Sequence, residues 1–386
     1  MMHMKGSDLV FPLLLACCIL FLSLGGCTPG HLRSESVLDT PKHHVSTGFR
    51  LLDKGRIADA EREFMLALHL NGSEATAQCG LGLVYGKKGK FLQALKSMEM
   101  AGKNAKTERD KALIYLGYMR IYTMQKGKDW LKKAEENFED AVGMGAELPD
   151  AYFYLGRAYM EAYQFRKAEK KFNKVKELHA RFVEEADREL KTVSKIIIAR
   201  PGSITGKKIA ILKRVTRAET AALLVEELKL DALLGKGGAK AYREPSASAG
   251  EAKEMQSFPL MSDWKNHPLK RDIDVIIELG IAGLKRAPDG SFLPDQNITR
   301  AEYAMAMADI IVSLKKDPTL ATRFTRDNSP FSDVKSGESY FTAVMLCTVG
   351  TGIMEPRYGV FNPGGGMTGA DALLVIRRLK EELRIY

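Results

Sequence analysis

The chain has 386 residues, 45% of them hydrophobic and 27% charged, with a formal net charge of +10. That length exceeds a single ordinary core and suits two or three domains, and the balance excludes a chain that is disordered throughout. The basic excess admits anionic partners such as lipid headgroups and acidic wall polymers. The lysines are spread over helical stretches rather than gathered in an aromatic-interleaved patch, so nucleic acid is not an expected partner.

Five cysteines stand at positions 17, 18, 27, 79 and 347, with no CxxC and no metal-ligand cluster. Cys79 and Cys347 read as small core hydrophobes, and nothing in the spacing supports a disulfide between them. No metal or other cofactor is expected.

Residues 9–26 read LVFPLLLACCILFLSLGG behind a positive charge at Lys5, the pattern of a secretory leader. The run ends in Leu24-Gly25-Gly26-Cys27, which resembles the lipobox of bacterial lipoproteins. The resemblance implies a signal peptide over 1–26, cleavage before Cys27, a diacylglycerol on its thiol and further acylation of the new amino end by palmitate-like chains. Several acyl chains anchor durably where one does not. The alternative is an uncleaved membrane-spanning helix, since about 18 apolar residues can cross a bilayer. Thr28 does not carry the aspartate signal for inner-membrane retention, so a Gram-negative member would sit on the periplasmic face of the outer membrane. Residues 27–43, polar with Pro29, Gly30 and Pro41, read as a flexible tether.

Helical periodicity then dominates over 44–179 with a period near 34 residues. Gly48, Ala60, Phe64 and Ala67 return as Gly82, Ala94, Met98 and Ala101. A third unit carries Gly117, Ala134, Phe138 and Ala141, with five extra residues around 124–130. A fourth carries Gly156, Tyr159, Ala168 and Phe172 behind a helix-starting Pro149. These residues resemble the tetratricopeptide repeat (TPR) family. The resemblance implies antiparallel helix pairs in an α-solenoid, with Gly48, Gly82, Gly117 and Gly156 approached closely by Ala60, Ala94, Ala134 and Ala168. The extra residues should lengthen a helix or bulge a turn. Such solenoids bind proteins in a concave groove; a plain spacer is the other reading.

Helical sequence continues over Arg181–Ala199 and ends at Arg200-Pro201-Gly202. The GSITGK that follows is one residue short of a phosphate-binding loop, and Lys208 stands where Ser or Thr is needed. Beyond it lies a second repeat. Asp263, Gly280, Phe292, Pro294 and Thr299-Arg300-Ala301-Glu302 return as Asp333, Gly350, Phe361, Pro363 and Thr368-Gly369-Ala370-Asp371. Thr299 with Glu302 has the spacing of a capping box, and Thr368 with Asp371 repeats it. A degenerate earlier copy shows Thr216-Arg217-Ala218-Glu219, with Ile209 and Ile211 in the Phe-x-Pro places.

These motifs resemble the S-layer homology (SLH) family. The expected organisation is a first, degenerate copy over 180–234, a flexible linker over 235–254, a second copy over 255–320 and a third over 321–386. The fold class is then mainly α: a TPR-like solenoid followed by a pseudo-threefold SLH-like helical domain with short extended segments. The resemblance implies non-covalent binding of cell-wall carbohydrate or a peptidoglycan-linked polymer. It places Arg217 and Arg300 beside grooves where a guanidinium fork can meet an acidic sugar. Trp264 is a candidate sugar platform, and Asp263 and Asp333 are expected to brace turns. Gly369 stands where the third copy should carry its arginine, so that groove is expected to have lost its charged contact.

No catalytic constellation is visible: HExxH and GxSxG are missing, and His179 and His267 stand alone. The expectation is a non-enzymatic envelope tether, lipid-anchored at one end and wall-binding at the other, with repeats that hold an envelope protein. The alternative is a protein-interaction lipoprotein serving as an envelope or secretion-complex assembly factor, whose SLH-like part binds no glycan.

Overall fold

A computed structural model describes residues 40–145, 148–235 and 263–385. The leader, Cys27 and nearly all of the expected linker lie outside these residues. Among them the chain is mainly helical, with no strand. The short extended segments expected of the C-terminal copies are reduced to single bridged residue pairs, Thr216 with Asn297, Thr299 with Gly366 and Arg357 with Val360. The described residues form two compact units, 40–128 with 139–145, and 129–138 with 148–235 and 263–385.

The first unit is built of helix hairpins, consistent with an α-solenoid. Helices α1 (Pro41–Asp53) and α2 (Ile57–Leu70) pair, as do α3 (Ala75–Lys87) and α4 (Phe91–Asn104), followed by α5 (Glu108–Gln125). Thr40 caps α1 by accepting the His43 N–H, so the helix begins inside the stretch expected to be tether. The five extra residues lengthen a helix: α5 has 18 residues where α1 and α3 have 13. A capping box of Thr107 and Asp110 starts α5.

Phe64 is fully buried, and a Cβ placed on Gly48 or Gly80 would meet its ring at 2.6 Å or 2.3 Å. A Cβ on Gly82 would meet the Met98 methyl at 2.9 Å and the Ala94 carbonyl at 3.1 Å, and one on Gly117 would meet Met98 at 2.6 Å. Gly48 thus makes room for the large side chain one turn after Ala60, Gly82 for both Met98 and the Ala94 carbonyl, and Gly117 for Met98 of the preceding hairpin. Ala60 and Ala94 are fully buried. Burying a side chain of the size of Phe64 or Met98 contributes about 1.5–3 kcal/mol.

Helix α6 (Trp130–Gly143) contributes residues to both units, and its Ala134 is fully buried. In the second unit the hairpin α7 (Pro149–Glu161) and α8 (Phe165–Glu177) repeats the logic of the first. A Cβ on Gly156 would strike the Phe172 ring at 2.7 Å, and Ala168 is fully buried. Helix α9 (Val183–Ala199) packs on α8 and also on the last helix of the chain, α16 (Gly369–Leu383). Between them come α10 (Ile204–Ala210), α11 (Arg217–Glu226), α12 (Leu230–Leu234), α13 (Lys270–Leu279), α14 (Arg300–Lys315) and α15 (Phe341–Met345). The chain beyond α15 widens into a π-helical turn, Leu346–Gly350.

Of the residues in the Phe-x-Pro places of the first copy, Ile209 is helical, within α10, and Ile211 caps that helix. Without a proline the segment keeps all its N–H groups, and the Ser203 hydroxyl accepts the Gly206 N–H to start the helix. The amides ahead of it are already spoken for: the Glu227 carboxylate accepts from Gly202 N–H at 3.0 Å and Ser203 N–H at 2.8 Å. An internal carboxylate fills the loop that only superficially suggested a phosphate site.

Candidate glycan-binding junctions

The three capped helices α11, α14 and α16 begin side by side in the second unit. Thr216 and Glu219 form a complete capping box, as do Thr299 and Glu302. At Thr368 the hydroxyl caps the Asp371 N–H, but the Asp371 carboxylate binds the Thr368 hydroxyl at 2.7 Å and Lys195 at 2.6 Å. Just before the threonines, Val215 takes the Met367 carbonyl at 2.9 Å and Ile298 takes the Val215 carbonyl at 3.0 Å. The three turns therefore meet through their backbones.

Each helix start then reaches into the next copy. The Arg217 backbone N–H donates to Gln296, that of Arg300 to Gly365, and that of Gly369 to Leu212. The order is cyclic: first copy to second, second to third, third to first.

Arg217 is only 6% exposed. Its Nε donates to the Phe292 carbonyl at 2.8 Å, Nη1 to Gly283 at 3.0 Å and Glu302 at 3.3 Å, and Nη2 to Lys285 at 2.8 Å. The guanidinium also lies 5.1 Å from the Phe292 ring centre. Burial pushes its pKa below the usual arginine value, against the charges of Glu302 and Asp263. Arg217, a candidate sugar contact, thus directs four hydrogen bonds into the neighbouring copy.

Arg300 repeats the geometry with less commitment. Its Nε donates to Phe361 at 2.8 Å and Nη2 to Glu355 at 3.1 Å, and its guanidinium sits 4.8 Å from the Phe361 ring. Nη1 has no hydrogen-bond partner among the described residues, and Arg300 is only partly buried. Burial lowers its pKa, Asp371 raises it and Arg357 lowers it again. Arg357 is exposed on a tight turn whose ends, Arg357 and Val360, exchange backbone hydrogen bonds. Tyr358 projects from that turn wholly exposed. Sequence reasoning missed Arg357 and Tyr358, because neither belongs to the repeated motif.

Trp264, the candidate sugar platform, lies in the packing of the second copy. It is 6% exposed, its Nε1 donates to Asp274 at 2.8 Å, and it packs edge-on against Phe292 at 6.1 Å. Burial also acts on Asp274, but the hydrogen bonds from Lys270 and Trp264 hold its pKa below the usual value. Asp263 accepts the N–H groups of Phe292 and Leu293 at 2.8 and 2.7 Å, and Asp333 those of Phe361 and Asn362 at 2.9 and 2.6 Å. Each carboxylate thus holds a Phe-x-Pro turn whose middle residue has a left-handed backbone, Leu293 at φ 57° and Asn362 at φ 60°.

At the third junction a Cβ on Gly369 would lie 1.7 Å from the Ile209 carbonyl oxygen. The missing arginine is therefore a steric requirement of packing against α10 as well as a lost charge.

The S-layer homology domain family matches residues 261–304. Those residues are an S-layer homology domain. The match covers Asp263, the Phe-x-Pro turn and the Thr299 capping box, and it ends inside α14. No curated protein and no solved structure matches the chain. S-layer homology domains typically bind cell-wall glycan polymers, and the domain associates the chain with the cell envelope. Among the described residues no helix is long and apolar enough to cross a membrane.

Proposed function

We propose that the protein is a non-enzymatic envelope tether, fixed to a membrane through lipidated Cys27 and to wall glycan through its C-terminal S-layer homology copies. TPR-like repeats between the two ends hold or space an envelope protein. The observation that carries the reading is the matched domain at 261–304 flanked by two further copies of its capped turn. The Leu24-Gly25-Gly26-Cys27 motif supports the lipid anchor, and the hairpins of the first unit support the repeats.

The glycan contact we favour is at the second-to-third junction, where Arg300 keeps Nη1 unpaired within the field of Arg357, and Tyr358 follows Arg357 on an exposed turn. An arginine fork suits a carboxylate or pyruvyl group, and an exposed ring suits a sugar face. The test uses the chain from residue 28 onward, because α9 packs on α16 and a fragment starting at 200 would lose it. The purified chain should sediment with cell-wall sacculi. Arg357→Gln with Tyr358→Ala should weaken retention roughly tenfold, the scale of one lost charge-assisted hydrogen bond. No sedimentation across several wall preparations would sink the tether.

Arg217 and Gly369 favour a second reading, in which the copies serve mainly to hold one another and the chain is an assembly lipoprotein for an envelope or secretion complex. In-cell crosslinking that yields a dominant protein adduct, with no wall retention, would support it.

A further inference from the structure

The second unit contains a cleft of about 480 Å³ whose lining includes none of the capped-turn residues. Its walls come from the α7–α8 turn, the end of α9 and the start of α10. Phe165, Ile196, Ile197 and Pro201 give it apolar surface, and Ile204, exposed at 61%, lies beside it one helical turn before Lys207. Three cations line it from three different pieces of chain: Arg166 on α8, Arg200 at the end of α9 and Lys207 on α10. None of them makes a side-chain hydrogen bond or ion pair among the described residues. Lys167 also lines the cleft but is committed to Glu135 at 3.5 Å and to the Tyr159 ring.

No carboxylate among the described residues forms an ion pair with the three. Glu227 is held by Gly202 and Ser203, and Glu226 by the Thr205 hydroxyl. Three like charges around an apolar hollow repel one another, and an anionic ligand relieves that repulsion. The lining also discriminates between anions. A sugar hydroxyl donates as well as accepts, and Gln164 and Tyr163 are the only lining side chains that can accept from it, so the lining favours a ligand rich in acceptors. A peptide carrying carboxylates beside an apolar side chain satisfies both the rim and the floor.

We propose that this cleft binds an acidic peptide segment with an apolar anchor, presented by an envelope protein. The proposal deepens the reading of the chain as a partner-binding scaffold by naming the partner's chemistry and the place it docks.

The test is fluorescence anisotropy on the chain from residue 28 onward. The probes are a labelled peptide of glutamates interspersed with leucines and its twin with glutamine for glutamate. The acidic peptide should bind about tenfold tighter than its twin, a gap of about 1.4 kcal/mol, and the gap should close as salt rises. The triple variant Arg166→Gln, Arg200→Gln, Lys207→Gln should abolish the preference, and Phe165→Ala should weaken both peptides. Its sedimentation with sacculi should stay at the wild-type level, which separates this proposal from the wall-binding one. Equal affinity for both peptides overturns the proposal, and so does a triple variant that binds like wild type. An acidic oligosaccharide that binds the cleft when the peptide does not also overturns it, and assigns the cleft to glycan. Should the triple variant fail to fold, the salt dependence of the two peptides on the wild-type chain decides alone.

Discussion

Arg217 and Gly369 hold the same place in their motifs, directly after a capping threonine, and they close their junctions by opposite means. Arg217 threads a long charged side chain into the next copy and spends its donors on three carbonyls and a carboxylate. Gly369 brings backbone against backbone and leaves no room for a side chain at all. Arg300 stands between the two, pinned by two carbonyls and partly open. A repeated motif residue can therefore be a structural pin in one copy, a candidate ligand contact in the next and a steric impossibility in the third.

The sharpest way to break this comparison is to restore the motif. Gly369→Arg should destabilise the second unit by about 3 kcal/mol or more, since even its Cβ collides with the Ile209 carbonyl. Gly369→Ala should show much of the same loss. Denaturant unfolding of both variants measures it, and a wild-type midpoint for Gly369→Arg would mean that the third junction does not close as described.

Arginine truncation should separate the other two junctions. Arg217→Ala strands three carbonyls in a buried setting and should cost about 2–4 kcal/mol. Arg300→Ala strands two with more solvent at hand and should cost about 1–2 kcal/mol. Arg217→Lys should recover little, because an ammonium cannot reach carbonyls spread around a planar fork. Equal losses at 217 and 300 would erase the distinction between pin and ligand contact.

Much of this was legible in the sequence. The capping threonines, the helix periods and the glycines at 34-residue spacing are local signals, and local chemistry sets helix starts and close helix approaches. What was hidden lies in partners far along the chain. The Arg217 guanidinium contacts residues 66 to 85 positions away, and no spacing rule says that its fork points into a neighbour rather than into solvent. Trp264 gave no sign that Asp274 would satisfy its indole N–H and so permit burial. Glu227 stands in no motif, yet it secures the loop that opens α10. Arg357 and Tyr358 were invisible because the turn that presents them is not repeated.

The glycine-closed junction takes its ion pair from a lysine on another helix, where the first junction takes it from Arg217 itself, and that pair gives the smallest expected effect. Lys195 on α9 reaches Asp371 on α16 at 2.6 Å. Burial pushes the Asp371 carboxyl up, but hydrogen bonds from Lys195 and Thr368, with the charges of Lys195 and Arg357, hold its pKa below the usual carboxylate value. A folded pKa below the unfolded one, which is about 3.9 for aspartate, adds stability above that pH. The contribution then disappears as acid takes the pH down through the folded value. Asp371→Asn should therefore lower the unfolding midpoint modestly at neutral pH and converge on wild type in strong acid. Melting curves of both proteins between neutral and acidic pH test the sign. A gap that widens toward acid would mean that Asp371 is not held ionised by Lys195, and the third junction would then rest on backbone contact alone.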